Sequence, residues 1–372
     1  MTSDSNAPLA GIRVVELARI LAGPWAGQVL ADLGAEVIKV ESPNGDDTRS
    51  WGPPFVERAD GSRDAAYFHA ANRGKESVVA DFTDTDDLAR VKALIAEADV
   101  VIENFRTGAL ARFGLGYESL ARDNPRLVYC SITGFGQDGP YASRAGYDFI
   151  VQGMSGIMDL TGEPEGAPQK IGVAYADILT GLYAVIGIQA ALHQRERTGR
   201  GQAIDMALFD VMVGTLANQA MNQLLGNRNP KRMGNAHPNI APYEAFRAKD
   251  GWLIVAVGND RQFERFREVI DLPRREEWTT NARRVKNRES LSASIGRRIA
   301  EWPRDGLLAR LEEASIPAGP INSVKQALAD PQIAARRMVI ELEDGLKGLR
   351  TPIRFSEAEM ALGKASPAKG KP

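Results

Sequence analysis

The sequence has a single cysteine, Cys130, and only three histidines among its 372 residues. One cysteine cannot form an internal disulfide, so a reducing compartment is the default setting. The first residues also lack the basic-then-apolar pattern of a secretion signal, and we therefore expect a cytoplasmic protein. So few thiol and imidazole side chains leave little for a zinc site, and no metal centre is predicted.

An excess of charge and a long apolar run are also missing. The net charge is −2, so no positive surplus is available to follow a phosphate backbone, and we expect no nucleic-acid partner. The most apolar stretch, residues 178–192, is too short for a bilayer and contains Thr180 and Gln189. We therefore interpret this stretch as a buried core helix and expect no membrane partner.

The chain is longer than one compact core usually needs, and its pattern predicts two domains. Apolar runs of strand length alternate with helical stretches through the first 210 residues, as in a parallel, doubly wound sheet. We therefore predict an α/β fold with a Rossmann-like large domain. The predicted strands are residues 12–17, 36–41, 77–82, 100–104, 127–132 and 202–208.

The pattern changes after residue 210. Residues 211–242 are predicted to form a linker, because 225–242 (LGNRNPKRMGNAHPNIAP) is rich in Gly, Asn and Pro. A smaller α+β domain is predicted over residues 243–324. The tail, residues 364–372 (KASPAKGKP), is typical of a disordered segment.

A Rossmann-like opening raises the possibility of a dinucleotide cofactor. The first turn reads Ala18-Arg19-Ile20-Leu21-Ala22-Gly23-Pro24 and lacks the G-x-G-x-x-G pattern that lets the backbone approach a pyrophosphate. Glu41 ends the second strand, where a ribose-binding acid often lies, but one acid is a weak signal. NAD dependence is therefore not favoured.

Asp177 directly precedes the apolar helix, in Ala174-Tyr175-Ala176-Asp177-Ile178-Leu179. One interpretation is a helix N-cap, whose carboxylate accepts hydrogen bonds from the first N–H groups. The other is a nucleophile, because a helix N-terminus stabilises a carboxylate anion and holds it ready. The two roles are compatible, and both stay open on spacing alone.

Basic side chains lie at or just beyond the ends of the predicted strands. They are Arg73, Lys75, Arg106 and Arg112. Such residues can meet the phosphates of a cofactor, but a solvated basic surface has the same pattern. Composition and spacing leave these two interpretations open.

Several segments, in order along nearly the whole chain, resemble the class III CoA-transferases, the group that includes formyl-CoA transferase, carnitine CoA-transferase and α-methylacyl-CoA racemase. Each block is weakly specific alone, and together they are highly specific. The blocks are LAGPWAGQVLADLGAEVIKVE (21–41), NRGKESVVAD (72–81), ADVVIENFRTGALARFGL (98–115), GFGQDGP (134–140), AYADILTG (174–181), TGRGQAIDMALFD (198–210), NAHPNIAPYEAF (235–246) and PAGPINSVKQALADPQIAARRM (317–338).

The resemblance implies a fold and a mechanism. The large domain, residues 1–210, is completed by residues 325–372, and two chains interlock as a homodimer. Asp177 attacks an acyl-CoA thioester, and a mixed aspartyl anhydride and an aspartyl-CoA thioester carry the groups to the acceptor acid. Coenzyme A is then the co-substrate. This chemistry agrees with the residues, since a positioned carboxylate at a helix start is a suitable nucleophile.

The resemblance also implies the residues that contact CoA. They are carried over position by position from the matching blocks. They are Leu21, Ala22, Asn72, Arg73, Lys75, Asn104, Phe105, Arg106, Arg112, Thr133, Gly134, Phe135 and Gly136.

Departures from the family pattern bear on the substrate. Formyl-CoA transferase has a glutamine at the position of Leu21 and an arginine at that of Ser42, and its glycine-rich loop is replaced here by residues 234–240 (GNAHPNI). A larger acid, such as the dicarboxylates succinate, glutarate or itaconate, is therefore expected. The candidate substrate residues are Tyr147, His237, Asn239 and Tyr243.

The alternatives are a racemase and a non-catalytic acyl-CoA-binding protein. The racemase has a histidine in a Gly-His-Asp segment that reads Gly146-Tyr147-Asp148 here. A tyrosine, with an ordinary pKa of ~10, is a poor substitute for a base that works near neutrality. Tyr147 therefore favours transfer over removal of a proton.

Overall fold

The computed structural model describes residues 6–58 and 61–370, which form two compact units. The large unit includes the chain up to residue 157, residues 170–225 and the chain from 332 onward. The small unit includes residues 158–169 and 226–331. Each unit has its own apolar core.

The strands of both units are short, with three to six residues each. They are β1 (Arg13–Glu16), β2 (Glu36–Glu41), β3 (Phe55–Glu57), β4 (Arg63–Ala65), β5 (Lys75–Val79), β6 (Val100–Glu103), β7 (Val128–Thr133), β8 (Ala203–Ala207), β9 (Tyr243–Arg247), β10 (Trp252–Ala256), β11 (Ala318–Pro320), β12 (Val339–Glu341) and β13 (Lys347–Leu349).

The α-helices range from single turns to one helix of 24 residues. They are α1 (Ala22–Asp32), α2 (Ala66–His69), α3 (Thr85–Ala96), α4 (Tyr117–Asp123), α5 (Asp148–Met154), α6 (Ile157–Leu160), α7 (Tyr175–Thr198), α8 (Leu208–Gly214), α9 (Ala217–Gly226), α10 (Asp260–Val269), α11 (Asn281–Lys286), α12 (Arg288–Ile299), α13 (Arg304–Glu313), α14 (Val324–Leu328) and α15 (Pro331–Ala335).

Six parallel strands form the central sheet of the large unit, in the order β5-β2-β1-β6-β7-β8. The α/β class and the parallel sheet are thus confirmed. The chain runs outward from β1 on both sides, with β2 on one side and β6 on the other. In such sheets the loops at the carboxyl ends diverge where the strand order reverses, and a crevice opens there.

The sheet is covered on both faces because successive strand residues point in opposite directions. Val14 and Val100 belong to the core that includes α1 and α7. Their neighbours Val15 and Val101 belong to the core that includes α3 and α4. Strands that are buried on both faces read as continuous apolar runs, which explains why their positions were predictable.

Helix α7 is long and apolar enough to cross a membrane by length and composition. Nine of its residues are nevertheless buried, and Ala184 and Ile188 pack in the core with α1. The predicted core helix is therefore confirmed. The helix extends beyond the apolar stretch at both ends, from Tyr175 to Thr198, and it ends at a left-handed Gly199, a common helix end.

The small unit is built on an antiparallel sheet in the order β11-β10-β9, packed by α10 to α13. Phe263, Phe266 and Trp278 fill its core. The α+β character follows the prediction, but the boundaries differ. Residues 158–169 and 226–242 belong to the small unit, which continues to residue 331 instead of ending at 324.

The predicted linker of residues 211–242 is helical in its first half. Helices α8 and α9 cover most of residues 208–226, and α8 buries Leu208, Val211 and Met212. That spacing places the three side chains on one helix face, a periodicity that the linker prediction overlooked. The Gly, Asn and Pro of residues 227–242 form no helix or strand, as predicted.

The predicted disorder of residues 364–372 is wrong for the part that the structure describes, which ends at residue 370. Arg58 donates to the carbonyl oxygens of Ser366 (3.2 Å) and Pro367 (3.0 Å), and Arg49 also donates to Pro367 (3.3 Å). The Gly370 N–H donates to the hydroxyl of Ser77 (3.0 Å). The composition of the tail could not predict this order, because the residues that hydrogen-bond to the tail come from distant segments of the chain.

Deleting residues 364–372 tests this packing. Arg49 and Arg58 then lose carbonyl acceptors, and we expect the free energy of unfolding to fall by roughly 2–4 kcal/mol, the cost of a few hydrogen bonds to charged groups. Urea unfolding measures the change. Deletion of residues 371–372 alone is the control. Equal unfolding midpoints for the long and the short deletion would show that the tail contributes nothing.

Candidate active site

Loops that follow β1, β6 and β7 border a cavity of about 440 Å³ at the carboxyl edge of the sheet. This is the edge where the reversed strand order opens a crevice. Nine of the residues predicted for the site line the cavity. They are Leu21, Ala22, Asn104, Phe105, Arg106, Thr133, Gly134, Tyr147 and Asp177.

The loop after β1 has an unusual backbone. Ile20 has a φ of 72°, in the left-handed region that a β-branched residue rarely adopts. Asn104 holds the residue before it, since the amide of Asn104 accepts from the Arg19 N–H (3.0 Å) and donates to the Arg19 carbonyl (2.7 Å). The side chain of Asn104 thus joins the loops after β1 and β6.

Asp177 lies in the first turn of α7, and the N-cap is Ala174, so the predicted N-cap is wrong. Asp148, from α5, supplies the carboxylate instead: its Oδ1 accepts from the Ala176 N–H at 2.8 Å. Gln152 donates to the other oxygen of Asp148 at 2.9 Å. The side chain of Asp177 is therefore released from capping.

The carboxylate of Asp177 accepts no hydrogen bond and forms no ion pair within the described parts of the chain. Burial, followed by the nearby charge of Asp148, raises its pKa to about 7. Burial, followed by these two carboxylates, also raises the pKa of Tyr67. A desolvated and unpaired carboxylate that faces a cavity is suited to nucleophilic attack.

Three arginines line the cavity: Arg19, Arg106 and Arg144. Arg19 is paired with Asp47 at 2.7 Å, and the guanidinium of Arg144 lies 4.5 Å from the centre of the Tyr141 ring. Sequence reasoning missed Arg19, Arg144, Asp148 and Tyr67. Asp148 had a usable signal, because an acid adjacent to Tyr147 begins a helix.

A second crevice, of about 370 Å³, lies at the carboxyl ends of β1 and β2. Arg112 lines it together with Phe82 and Phe113, and Phe105 borders both this crevice and the cavity. Glu41 lies here as well, but Arg49 and Ser77 donate to its carboxylate. Since these contacts occupy the acid, a ribose-binding role for Glu41 gains no support.

The structure does not bring Asn72, Arg73 and Lys75 into either opening. All three are buried, and Lys75 donates to Asn72 (2.9 Å) and pairs with Glu16 (2.7 Å). Arg73 pairs with the buried Asp32. The interpretation of Arg73 and Lys75 as open basic residues is wrong, because β5 begins at Lys75 and acids from other segments neutralise both cations.

The remaining predicted residues lie outside the cavity lining. Phe135 packs against Tyr141 and Phe209, and the Gly136 N–H donates to Thr133 at 2.9 Å. These contacts shape the loop after β7. The predicted CoA contacts of Phe135 and Gly136 are untested.

His237, Asn239 and Tyr243 form a local cluster in the small unit. The rings of His237 and Tyr243 lie 5.2 Å apart, and the Asn239 N–H donates to Nδ1 of His237 at 3.1 Å. Their role toward a substrate stays a prediction. No group of three or more potential metal ligands occurs within residues 6–58 and 61–370.

Comparison with known proteins identifies the family. The family model for CoA-transferase family III matches residues 9–371. A succinate–glutarate CoA-transferase from Agrobacterium fabrum is 55% identical over 373 residues, which cover 98% of this chain and 93% of that protein. A succinyl-CoA:glutarate CoA-transferase from Mus musculus is 43% identical over 376 residues, which cover 99% and 85%.

A solved structure agrees with these relatives. The crystal structure of a CAIB/BAIF family protein from Brucella suis matches with a TM-score of 0.91 and 60% identity, and the match covers 98% of this chain and 97% of that chain. Sequence and fold therefore point to the same group. The chain belongs to CoA-transferase family III and is a CoA-transferring enzyme.

Proposed function

We propose that the enzyme moves CoA from an acyl-CoA donor to a free dicarboxylic acid, with Asp177 as the covalent carrier. The observation that carries the proposal is the unpaired, partly buried carboxylate of Asp177 in the lining of the cavity. The relatives from Agrobacterium fabrum and Mus musculus, named for succinate and glutarate, support a dicarboxylate substrate.

The proposed reaction exchanges one anion for another at each step. The Asp177 carboxylate attacks the donor carbonyl, the C–S bond breaks, and CoA leaves as a thiolate with the bonding electrons. The thiolate attacks the aspartyl carbonyl of the resulting anhydride and expels the donor acid. The acceptor carboxylate then attacks the aspartyl-CoA thioester and expels the CoA thiolate, which leaves a second anhydride between Asp177 and the acceptor. The thiolate attacks the acceptor carbonyl of this anhydride, which forms the new acyl-CoA and frees the Asp177 carboxylate.

The start of α7 favours this chemistry. Its N–H groups and the helix dipole stabilise negative charge near Asp177. Asp148 holds the first turn through Ala176, so the carrier is fixed in place without a contact to its own carboxylate. An unpaired anion attacks more readily than one that already accepts hydrogen bonds, because fewer contacts must break.

We also propose that CoA lies along the loops at the carboxyl edge. Arg106 and Arg112 are suited to its phosphates because guanidinium groups bind phosphate strongly. Phe105, which borders both openings, provides a continuous surface between them. Leu21, Ala22, Thr133 and Gly134 border the reacting end.

A homodimer is a further part of this proposal. Helix α7 leaves Leu182, Tyr183 and Ile186 exposed, the last by 62%, and α9 leaves Leu224 and Leu225 exposed by 72% and 84%. Large exposed apolar side chains that cluster on a surface commonly mark an interface.

The cytoplasmic location expected from the single cysteine stays a prediction.

Replacing Asp177 by asparagine tests the covalent mechanism. We expect CoA transfer from succinyl-CoA to glutarate to fall by at least about 1,000-fold, since the nucleophile is lost. Hydroxylamine should trap a hydroxamate at Asp177 in the unmodified enzyme only. Asp86→Asn, in the exposed first turn of α3, is the matched control. Full activity of Asp177→Asn, or rapid α-hydrogen exchange without acceptor, would contradict the proposal.

The raised pKa of Asp177 predicts an acid limb near pH 7 for its acylation. The carboxylate attacks only when ionised, so the rate should rise as the pH passes the pKa of about 7. Asp148→Asn removes the smaller of the two causes, and the limb should move to lower pH while staying above the ordinary aspartate value of about 3.9. Single-turnover acylation rates as a function of pH measure the position of the acid limb. If the limb does not move in Asp148→Asn, a group other than Asp177 is responsible for it.

The acceptor preference is tested with a matched pair of acids of similar length, glutarate and pentanoate. A site built for a dicarboxylate leaves polar groups unpaired when the second carboxylate is missing. We expect kcat/KM for glutarate to exceed that for pentanoate by at least about 100-fold. Equal values would refute the dicarboxylate part and leave the role of Asp177 intact.

A further inference from the structure

Four buried charged side chains form a cluster beside the loop after β1. Glu16, Lys39, Asp46 and Lys75 are at most 3% exposed. Lys39 pairs with Glu16 (3.1 Å) and Asp46 (2.9 Å), and Lys75 pairs with Glu16 (2.7 Å). The four side chains, here called the charge cluster, come from β1, β2, the segment after β2 and β5, and their formal charges cancel.

Each lysine also donates a hydrogen bond to a backbone carbonyl at or near one end of this loop. Lys39 donates to the carbonyl of Ala18 at 2.8 Å, and Lys75 donates to the carbonyl of Pro24 at 2.8 Å. These two carbonyls stand on either side of residues 19–23. The charge cluster therefore holds both ends of the loop that borders the acyl-CoA cavity.

The middle of the loop is held by Asp46, whose carboxylate accepts from the Ile20 N–H at 3.3 Å. Ile20 is the residue with the left-handed backbone. Strained backbone persists only where its surroundings over-determine it, and such positions concentrate at functional sites. Leu21 and Ala22, which follow directly, line the cavity.

The cluster also connects to the helix of Asp177 through two glycines. A Cβ on Gly27 would lie 1.9 Å from Oε2 of Glu16, so α1 packs directly on the cluster. A Cβ on Gly181 would lie 2.7 Å from the carbonyl oxygen of Ala22, so α7 packs directly on the start of α1. The first part of α1, which directly follows the loop, thus lies between the charge cluster and the helix that carries Asp177.

We propose that Lys75 is a positioning residue: together with Glu16, Lys39 and Asp46 it keeps residues 19–22 in one backbone conformation, with Ile20 left-handed, and it does not contact the phosphates of CoA. Buried ion pairs are a poor means of gaining stability, because apolar replacements are often as stable. A role in selecting one backbone conformation accounts better for the cluster. The inference rests on the proposed transferase function.

The test is a double-mutant cycle of Lys75→Met, Glu16→Gln and the combination. Lys75→Met leaves a net negative charge in the interior, and we expect kcat to fall by roughly 10- to 100-fold, as for small misplacements near a reacting group. Adding Glu16→Gln restores neutrality and leaves the Lys39–Asp46 pair, so part of kcat should return. Lys249→Met, an exposed lysine of the small unit, is the control.

A phosphate ligand would behave differently. If Lys75 contacted the 3′-phosphate, Lys75→Met would raise KM for succinyl-CoA and remove the preference over succinyl-dephospho-CoA, and Glu16→Gln would not rescue it. Unchanged preference with a lower kcat is the expected result. A lost preference without rescue would overturn the proposal.

Hydrogen exchange without substrate provides a readout that needs no activity. The peptide that contains residues 17–25 should exchange faster in Lys75→Met than in the wild type, and part of the protection should return in the double variant. Asp46→Asn, which touches the loop through Ile20, is the second variant if Lys75→Met does not fold. Wild-type exchange and kcat in Asp46→Asn and in any Lys75→Met that folds would overturn the proposal.

Failure of this inference differs from failure of the transferase proposal. Asp177→Asn should abolish the hydroxamate and leave exchange of the 17–25 peptide unchanged. If the hydroxamate forms but the cycle shows no rescue, only the positioning role is wrong. If exchange follows the cycle but no hydroxamate forms, the loop is held as argued and the covalent role of Asp177 fails.

Discussion

The position of β1 between β2 and β6 is the constraint on which the site depends. Because the chain leaves β1 in both directions across the sheet, the loops after β1 and β6 diverge at the carboxyl edge. The amide of Asn104 bridges these two loops through the backbone of Arg19. The strand order thus opens the cavity that Asp177 lines, and the side chains then fix the positions of its loops.

The acids in the interior of this protein differ in their hydrogen-bond and ion-pair partners. This difference distinguishes acids with a structural role from an acid that is available to react. Burial raises the pKa of both Asp177 and Glu103 to about 7. Glu103 nevertheless accepts from the Phe105 N–H at 2.7 Å, and Glu16 is paired with two lysines. An acid without such partners can attack without first breaking a hydrogen bond or ion pair, so the missing contacts of Asp177 support its proposed role better than its pKa does.

Most of the central sheet was predictable because strands buried on both faces leave continuous apolar runs in the sequence. The position of Asp177 at a helix start was predictable for a similar local reason. The contact that holds this helix start was harder to predict, because Asp148 lies 28 residues from Ala176 in the chain. Lys75 and Arg73 were misread as open cations for the same reason, since Glu16 and Asp32 reach them only after the sheet has formed.

The chemistry of the cavity fits a sequence that is poor in histidine. Among the described residues that line it none is a histidine, and the acids are Asp148 and Asp177, the first already occupied by Ala176 and Gln152. A reaction that exchanges carboxylate for thiolate keeps one negative charge throughout and needs no proton shuttle. Such a site has to hold an anion and exclude water, and a carboxylate at a helix N-terminus in a partly closed cavity meets both requirements.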